Sequence, residues 1–213
     1  MRLHSFFNSS TSYRVRIALA LKGLDYEYVP VNIRRLEHQA PAYVDLNPSA
    51  NVPLLEDGEV RLGQSLAIID YLDATYPQGP RLVPADALAR ARVLELSAAI
   101  ACDIHPVNNL RVLRYLVKEL GVAEDAKNAW YEHWIAEGLA AVERLLAQHG
   151  HGAYCFGDAP TLADCCLVPQ VANALRMQCD LSAFPRVMAV HEHCVAQPAF
   201  AAAAPGAQPD YAA

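Results

Sequence analysis

No apolar run in this 213-residue chain approaches the roughly 18 residues needed to cross a bilayer. A membrane-spanning helix is therefore not expected. The N-terminus, Met1-Arg2-Leu3-His4-Ser5-Phe6-Phe7, lacks the apolar centre of a signal peptide and reads as a strand, which makes the cytoplasm the expected compartment. Positive charge is in short supply. There are 17 Lys+Arg against 23 Asp+Glu, a net charge of −6, so neither nucleic acid nor an anionic membrane is expected as a partner. Paired cysteines are missing as well: of Cys102, Cys155, Cys165, Cys166, Cys179 and Cys194, none forms a CxxC pair. That excludes zinc knuckles and a disulfide framework and leaves reduced thiols as small core residues, with no metal site. Internal repeats are absent too. What is present is a 54% hydrophobic, 19% charged composition, enough to bury a core in one large domain or two small ones.

The two halves of the chain differ. Up to residue 76, short β-rich runs alternate with helical ones. A strand is predicted over 3–7 and a helix over 14–22, capped by the hydroxyls of 9–12 and stopped by Gly23. A strand at 26–31 and a short helix at 41–46 follow. Strands at 52–56 and 59–62 flank the hairpin turn Asp57-Gly58, and a helix spans 64–75. Three prolines and a glycine in 77–84 read as a linker. Beyond it the spacing is helical over 85–118 and 123–148. Thr161-Leu-Ala-Asp164 resembles a capping box opening a helix that contains Pro169, and 185–196 forms a last helix. The Ala/Pro tail is expected to drape on the surface or move freely. The fold class is thus an α/β domain (β-α-β-α-β-β-α) over 1–82, then an all-α domain over 83–213.

Three features suggest chemistry. Ser9-Ser10-Thr11-Ser12 joins a strand to a helix. A helix N-terminus carries free N–H groups and partial positive charge, and hydroxyls add donors, so this reads either as an ordinary cap with spare polar neighbours or as an anion or thiolate site. Asn51-Val52-Pro53 opens a strand. Proline cannot donate to a ladder, so an edge position is expected, with the Val52 backbone available to a peptide-like ligand. Gly63-Gln64-Ser65 begins a helix, where Ser65 either caps or binds a carboxylate.

Together these resemble the glutathione transferase superfamily, a thioredoxin-like domain followed by an all-α domain, over essentially residues 1–197. Ser9-Ser10-Thr11-Ser12-Tyr13-Arg14-Val15-Arg16-Ile17-Ala18-Leu19, Leu46-Asn47-Pro48, Asn51-Val52-Pro53, Gln64-Ser65-Leu66-Ala67-Ile68-Ile69 and Ile104-His105-Pro106-Val107-Asn108-Asn109-Leu110-Arg111 are similar to the zeta class. Within it the bacterial glutathione-dependent maleylpyruvate isomerases are most similar, with maleylacetoacetate isomerases close. The resemblance implies a cis Pro53, Val52 pairing with the cysteinyl backbone of glutathione, and Gln64 and Ser65 at its γ-glutamyl end. His38, His105 and Asn108 are further tripeptide contacts. Ser9, Ser10 and Thr11 surround the sulfur, with Ser9 the first choice of donor. Thr11 stands where the class often has cysteine, so the chemistry cannot need a protein thiol there.

The implied reaction is cis–trans isomerisation of maleylpyruvate to fumarylpyruvate in aromatic catabolism, by thiolate addition, bond rotation and elimination. Glutathione is a cofactor that is not consumed. The substrate is a dicarboxylate, and its pocket is expected between the domains. Arg14, Arg16, Arg111, Arg114 and Arg176 are the candidate carboxylate ligands, Arg176 with a catalytic share, because guanidinium binds carboxylate bidentately. Arg176 also has an ordinary reading as a helix-end cation, and Arg111 and Arg114 as a solvated or ion-paired helix face. The resemblance further implies a homodimer. The alternatives are a maleylacetoacetate isomerase, a conjugating glutathione transferase, and a catalytically silent interaction module. Loss of glutathione in turnover marks the conjugating enzyme; tight glutathione binding without effect on maleyl substrates marks the module.

Overall fold

The computed structural model describes residues 1–211. The chain divides into two compact units. One comprises Met1–Val83 together with the segment from Cys194 onward, and the other is Pro84–His193. The break falls inside the proline-rich stretch read as a linker.

The first unit is built on β1 (Arg2–Ser5), α1 (Ser10–Leu21), β2 (Glu27–Pro30), a short α2 (Pro41–Val44), β3 (Leu54–Asp57), β4 (Val60–Gly63) and α3 (Ser65–Thr75). The strand order is β2-β1-β3-β4, with β1 parallel to β2 and antiparallel to β3, and β3 antiparallel to β4. This is the predicted β-α-β-α-β-β-α series. Gly58, at φ +60°, takes the positive-φ position of the β3–β4 turn. Apolar side chains of the strands (Leu3, Leu54, Leu55) and of the helices (Ile17, Leu19, Ile68, Ile69, Leu72) are all at most 1% exposed. The α1 helix is buried on nearly every face because α3 and the C-terminal segment both pack on it.

The linker is pinned. The Asp73 carboxylate accepts the Leu82 and Val83 N–H groups and the Lys22 Nζ, each at 2.9 Å. The tail corrects the expected domain limits. Instead of draping loosely at the end of the helical domain, it returns to the first unit. There α9 (Pro198–Ala203) packs on α1 with Phe200 fully buried, and Asp210 accepts the Phe7 N–H at 3.0 Å and the Tyr28 hydroxyl at 2.5 Å. Burial of an aromatic ring outweighs the low complexity of its surroundings.

The second unit is helical, with α4 (Ala87–Ala98), α5 (Leu110–Lys118), α6 (Glu124–His149) and α7 (Leu162–Arg176). α8 (Pro185–Val195) begins in it and ends in the first unit's segment. The single helix predicted over 85–118 is instead interrupted. Residues Ala99–Ile104 wind as a π-helical turn, closed by the His105 N–H on the Ile100 carbonyl at 3.0 Å, and Asn109 caps a fresh start at α5. Pro106 has no N–H to continue the ladder. Ile104 at the end of this turn reaches α6 at Gly138, where a Cβ would stand 2.3 Å from Ile104 Cγ1. Gly138 therefore repays its poor helix propensity by close approach. The capping box is formed as predicted, and α7 continues through Pro169. The Asp164 carboxylate inside it is fully buried, and burial pushes it above the usual carboxylate range against the pull of its donors.

His191 on α8, 8% exposed, is held below the ordinary histidine pKa of 6.5 by burial, which outweighs the opposing charge of Glu192. The unfolded chain then takes up its proton first as pH falls. Stability from this group is complete above about pH 6.5 and declines below it. Thermal unfolding followed from about pH 7.5 to 5 should show that decline, and His191→Gln should flatten it. Parallel curves for the two proteins would rule the assignment out.

Candidate active site

The turn leaving β1 makes Ser9 the N-cap of α1. Its Oγ accepts the Ser12 N–H at 3.2 Å and lies 2.9 Å from Thr11 Oγ1. The Thr11 hydroxyl donates to the Val52 carbonyl at 2.9 Å. A hydroxyl has one proton, so Thr11 must accept from Ser9 in their mutual bond. The Ser9 proton is therefore committed inside the protein, which reverses the preference for Ser9 as donor to a sulfur. Ser10 is the first helical residue of α1 and is buried.

The Val52–Pro53 bond is cis. The expected edge position does not hold: Pro53 stands just ahead of Leu54, and β3 lies between β1 and β4. A proline is tolerated there because the ladder begins one residue later. The Val52 carbonyl is also not idle, since Thr11 donates to it.

Ser65 is the first residue inside α3, not its cap. The cap is Gln64, whose φ of +66° is in the left-handed region and whose side chain makes no capping bond. Ser65 Oγ, on a residue 5% exposed, accepts from Arg14 Nη1 at 3.3 Å. Arg14 is itself only 1% exposed. Its expected contact with a substrate carboxylate is therefore corrected, because a guanidinium shut beneath Ser65 has no solvent-side face for one. Arg16, also 1% exposed, is likewise removed from the substrate arginines. Its Nε donates to the Ala203 carbonyl at 2.9 Å, Nη1 to Ser5 Oγ and the Phe6 carbonyl, and Nη2 to the Phe7 carbonyl at 3.0 Å. His38 lies half-buried in a single helical turn, Glu37–Gln39, entered by Leu36 at φ +64°.

In the second unit His105 and Asn108 follow the π-helical turn. The Asn109 side-chain carbonyl accepts the Arg111 N–H, so its amide donates to His105 Nε2 at 3.2 Å. Asn108 donates to the Tyr131 carbonyl at 3.1 Å, while its own Oδ1 is buried without a partner. Arg111 and Arg114 stand one turn apart on α5, a helix with no buried residue. Arg176 ends α7 and is exposed, in weak contact with Asn173 Oδ1 at 3.4 Å. It lines a cavity of about 370 Å³ with Asn128, Tyr131, Glu132, Met177 and Gln178. Tyr131, its phenol pushed up to about 12 chiefly by burial, was missed by sequence reasoning, because its place at helical spacing with Ile135 and Leu139 marks it only as core.

Residues 1–74 match the family described as glutathione S-transferase, N-terminal domain, and residues 124–193 its C-terminal domain. The chain belongs to the glutathione S-transferase family. This transferase-family chain is 51% identical over 213 residues, covering 100% of both sequences, to a maleylpyruvate isomerase of Ralstonia sp. It is similar to a solved holo structure of a maleylpyruvate isomerase, a bacterial zeta-class glutathione S-transferase, with a TM-score of 0.96, 51% identity and 100% coverage of both chains. A maleylacetoacetate isomerase from Methylobacterium extorquens AM1, solved with bound malonate and glutathione, has a TM-score of 0.96 at 35% identity, again covering 100% of both chains. Among the described residues, no helix is long and apolar enough to cross a membrane.

Proposed function

We propose that the chain catalyses glutathione-dependent cis–trans isomerisation of maleylpyruvate to fumarylpyruvate. The observation that carries this reading is the end-to-end likeness to a maleylpyruvate isomerase in both sequence and fold. The residues present fit glutathione. Behind Ser65 is a buried guanidinium with two N–H-bearing nitrogens, Nε and Nη2 of Arg14, that have no protein acceptor, beside a helix start without a side-chain cap.

Glutathione, when bound, supplies a thiolate able to add reversibly to the cis double bond of the substrate. The protein's part is binding and electrostatics. Gln64 and Ser65 hold the γ-glutamyl end, Val52 the cysteinyl backbone, and His38, His105 and Asn108 further parts of the tripeptide. With the Ser9 proton committed to Thr11, the sulfur is stabilised by the α1 N-terminus and Ser10, while Ser9 and Thr11 keep that turn in shape. Arg111, Arg114 and Arg176 take the substrate carboxylates. No side chain is assigned to proton abstraction. The proposal extends to a homodimer in the cytoplasm, supported by the family resemblance and by six cysteines none of which is in a disulfide, which suits a reducing compartment.

A second reading, isomerisation of maleylacetoacetate, is favoured by the equal TM-score to the Methylobacterium enzyme. An ultraviolet assay on both maleyl substrates, with and without glutathione, separates the readings. Turnover should require glutathione yet leave its concentration constant; stoichiometric loss of glutathione would replace the isomerase by a conjugating transferase. In the same assay Arg176→Ala should raise the substrate KM about ten- to a hundred-fold, the worth of one charge-assisted hydrogen bond, with glutathione affinity unchanged. An unaltered KM would remove Arg176 from the substrate site.

A further inference from the structure

Arg14 is a buried cation without an anion. Only Nη1 has a partner, the Ser65 hydroxyl at 3.3 Å, while Nε and Nη2 are buried with no acceptor. Among the described residues no carboxylate pairs with it. Burying a charge is costly unless it is compensated, so a guanidinium left in this state favours an anion held on the far side of Ser65, within its field though not in contact with it. The same point carries two further features. Ser65 accepts from Arg14, so its own proton is turned to another acceptor. The α3 start at Ser65 exposes N–H groups that Gln64 does not cap with its side chain.

We propose that Arg14 is a positioning residue for a carboxylate at the α3 N-terminus, acting through Ser65, and that this carboxylate is the α-carboxylate of the γ-glutamyl residue of glutathione. The proposal rests on the glutathione reading above and deepens it. Arg14 supplies the positive charge of the subsite and fixes the Ser65 hydroxyl as a donor. Arginine suits the task because its fork holds Ser65 with one nitrogen and leaves others for the field at the anion. The arrangement assigns this cation to the cofactor and not to the dicarboxylate substrate.

The test is calorimetric binding of two peptides to the full chain: glutathione, and the analogue in which 4-aminobutyryl replaces γ-glutamyl, so that only the α-carboxylate is lost. Wild-type protein should bind glutathione about ten- to a hundred-fold more tightly than the analogue. In Arg14→Met that ratio should fall towards one, with affinity for the analogue unchanged, and Arg14→Lys should restore part of it. A merely structural role would weaken both peptides together and leave the ratio intact, which would overturn the proposal. If Arg14→Met does not fold, Ser65→Ala must narrow the same ratio, and a full ratio there would overturn it equally. A raised substrate KM at saturating glutathione in Arg14→Lys, with the ratio intact, would return Arg14 to the substrate. Wild-type protein that binds both peptides equally defeats this proposal alone; wild-type protein that binds neither defeats the glutathione reading with it.

Discussion

Arg16→Met should lower the stability of the first unit by about 3–5 kcal/mol, one of the largest effects of any single substitution in the chain. The side chain is 1% exposed and donates to the carbonyls of Phe6, Phe7 and Ala203 and to Ser5 Oγ. Methionine fills part of the volume but donates nothing; the Phe6 carbonyl keeps the Ser9 N–H at 2.9 Å, but the Phe7 and Ala203 carbonyls lose their guanidinium donor, and each buried carbonyl left unpaired costs about 1–3 kcal/mol. Relief from burying a charge offsets part of that loss. Burial already lowers the Arg16 pKa, although Tyr28, Tyr26, Tyr13 and Asp210 act to raise it. For a chain of this length the thermal midpoint should fall by roughly 6–20 °C. The tail should also become the first site of proteolysis, because Ala203 loses its anchor. Arg16→Lys should recover only part of the loss, since an ammonium cannot reach both sides of the fork. A midpoint within about 2 °C of wild type in Arg16→Met would show that the carbonyls find other donors.

Asp164→Ala should cost about 3–4 kcal/mol in the second unit. The Asp164 carboxylate accepts the Cys155 N–H at 2.8 Å, the Thr161 N–H at 2.7 Å and the Thr161 hydroxyl at 3.0 Å, all in the interior. Alanine orphans these donors and leaves a small void besides. Asp164→Asn is the informative companion. Its carbonyl can keep one group of donors, but its amide then meets N–H with N–H, so it should fall between wild type and alanine. Denaturant unfolding of the three proteins checks the order. If asparagine proves as stable as aspartate, the box needs an acceptor on only one side.

The element series up to residue 76 was legible because each element is local. Period-two and helical spacing, the Ser9 hydroxyl at the cap of α1, Gly23 after that helix and Gly58 in the hairpin all act within a few residues. The Thr161–Asp164 box was legible for the same reason. The break within 85–118 was not, because helical spacing persists on both sides of the π-helical turn. What holds that turn is Ile104 against Gly138, more than 30 residues away. The edge position expected for Val52-Pro53 failed likewise, since strand order is a property of pairing and not of any one strand.

By itself, then, the sequence determined the helical and extended segments, the caps, the family and the residue types of the site, all of which follow from short-range pattern. Tertiary structure alone decided which polar side chains face the protein and which face a ligand. Arg14 and Arg16 are two residues apart on one helix and read alike as cations. One is consumed by the carbonyls of Phe6, Phe7 and Ala203; the other is left beside Ser65 with donors unspent. Likewise Ser9 reads from the sequence as an open hydroxyl, and only the position of Thr11 between it and the Val52 carbonyl spends its proton. The physical reason is that a donor's availability depends on acceptors brought to it from distant parts of the chain.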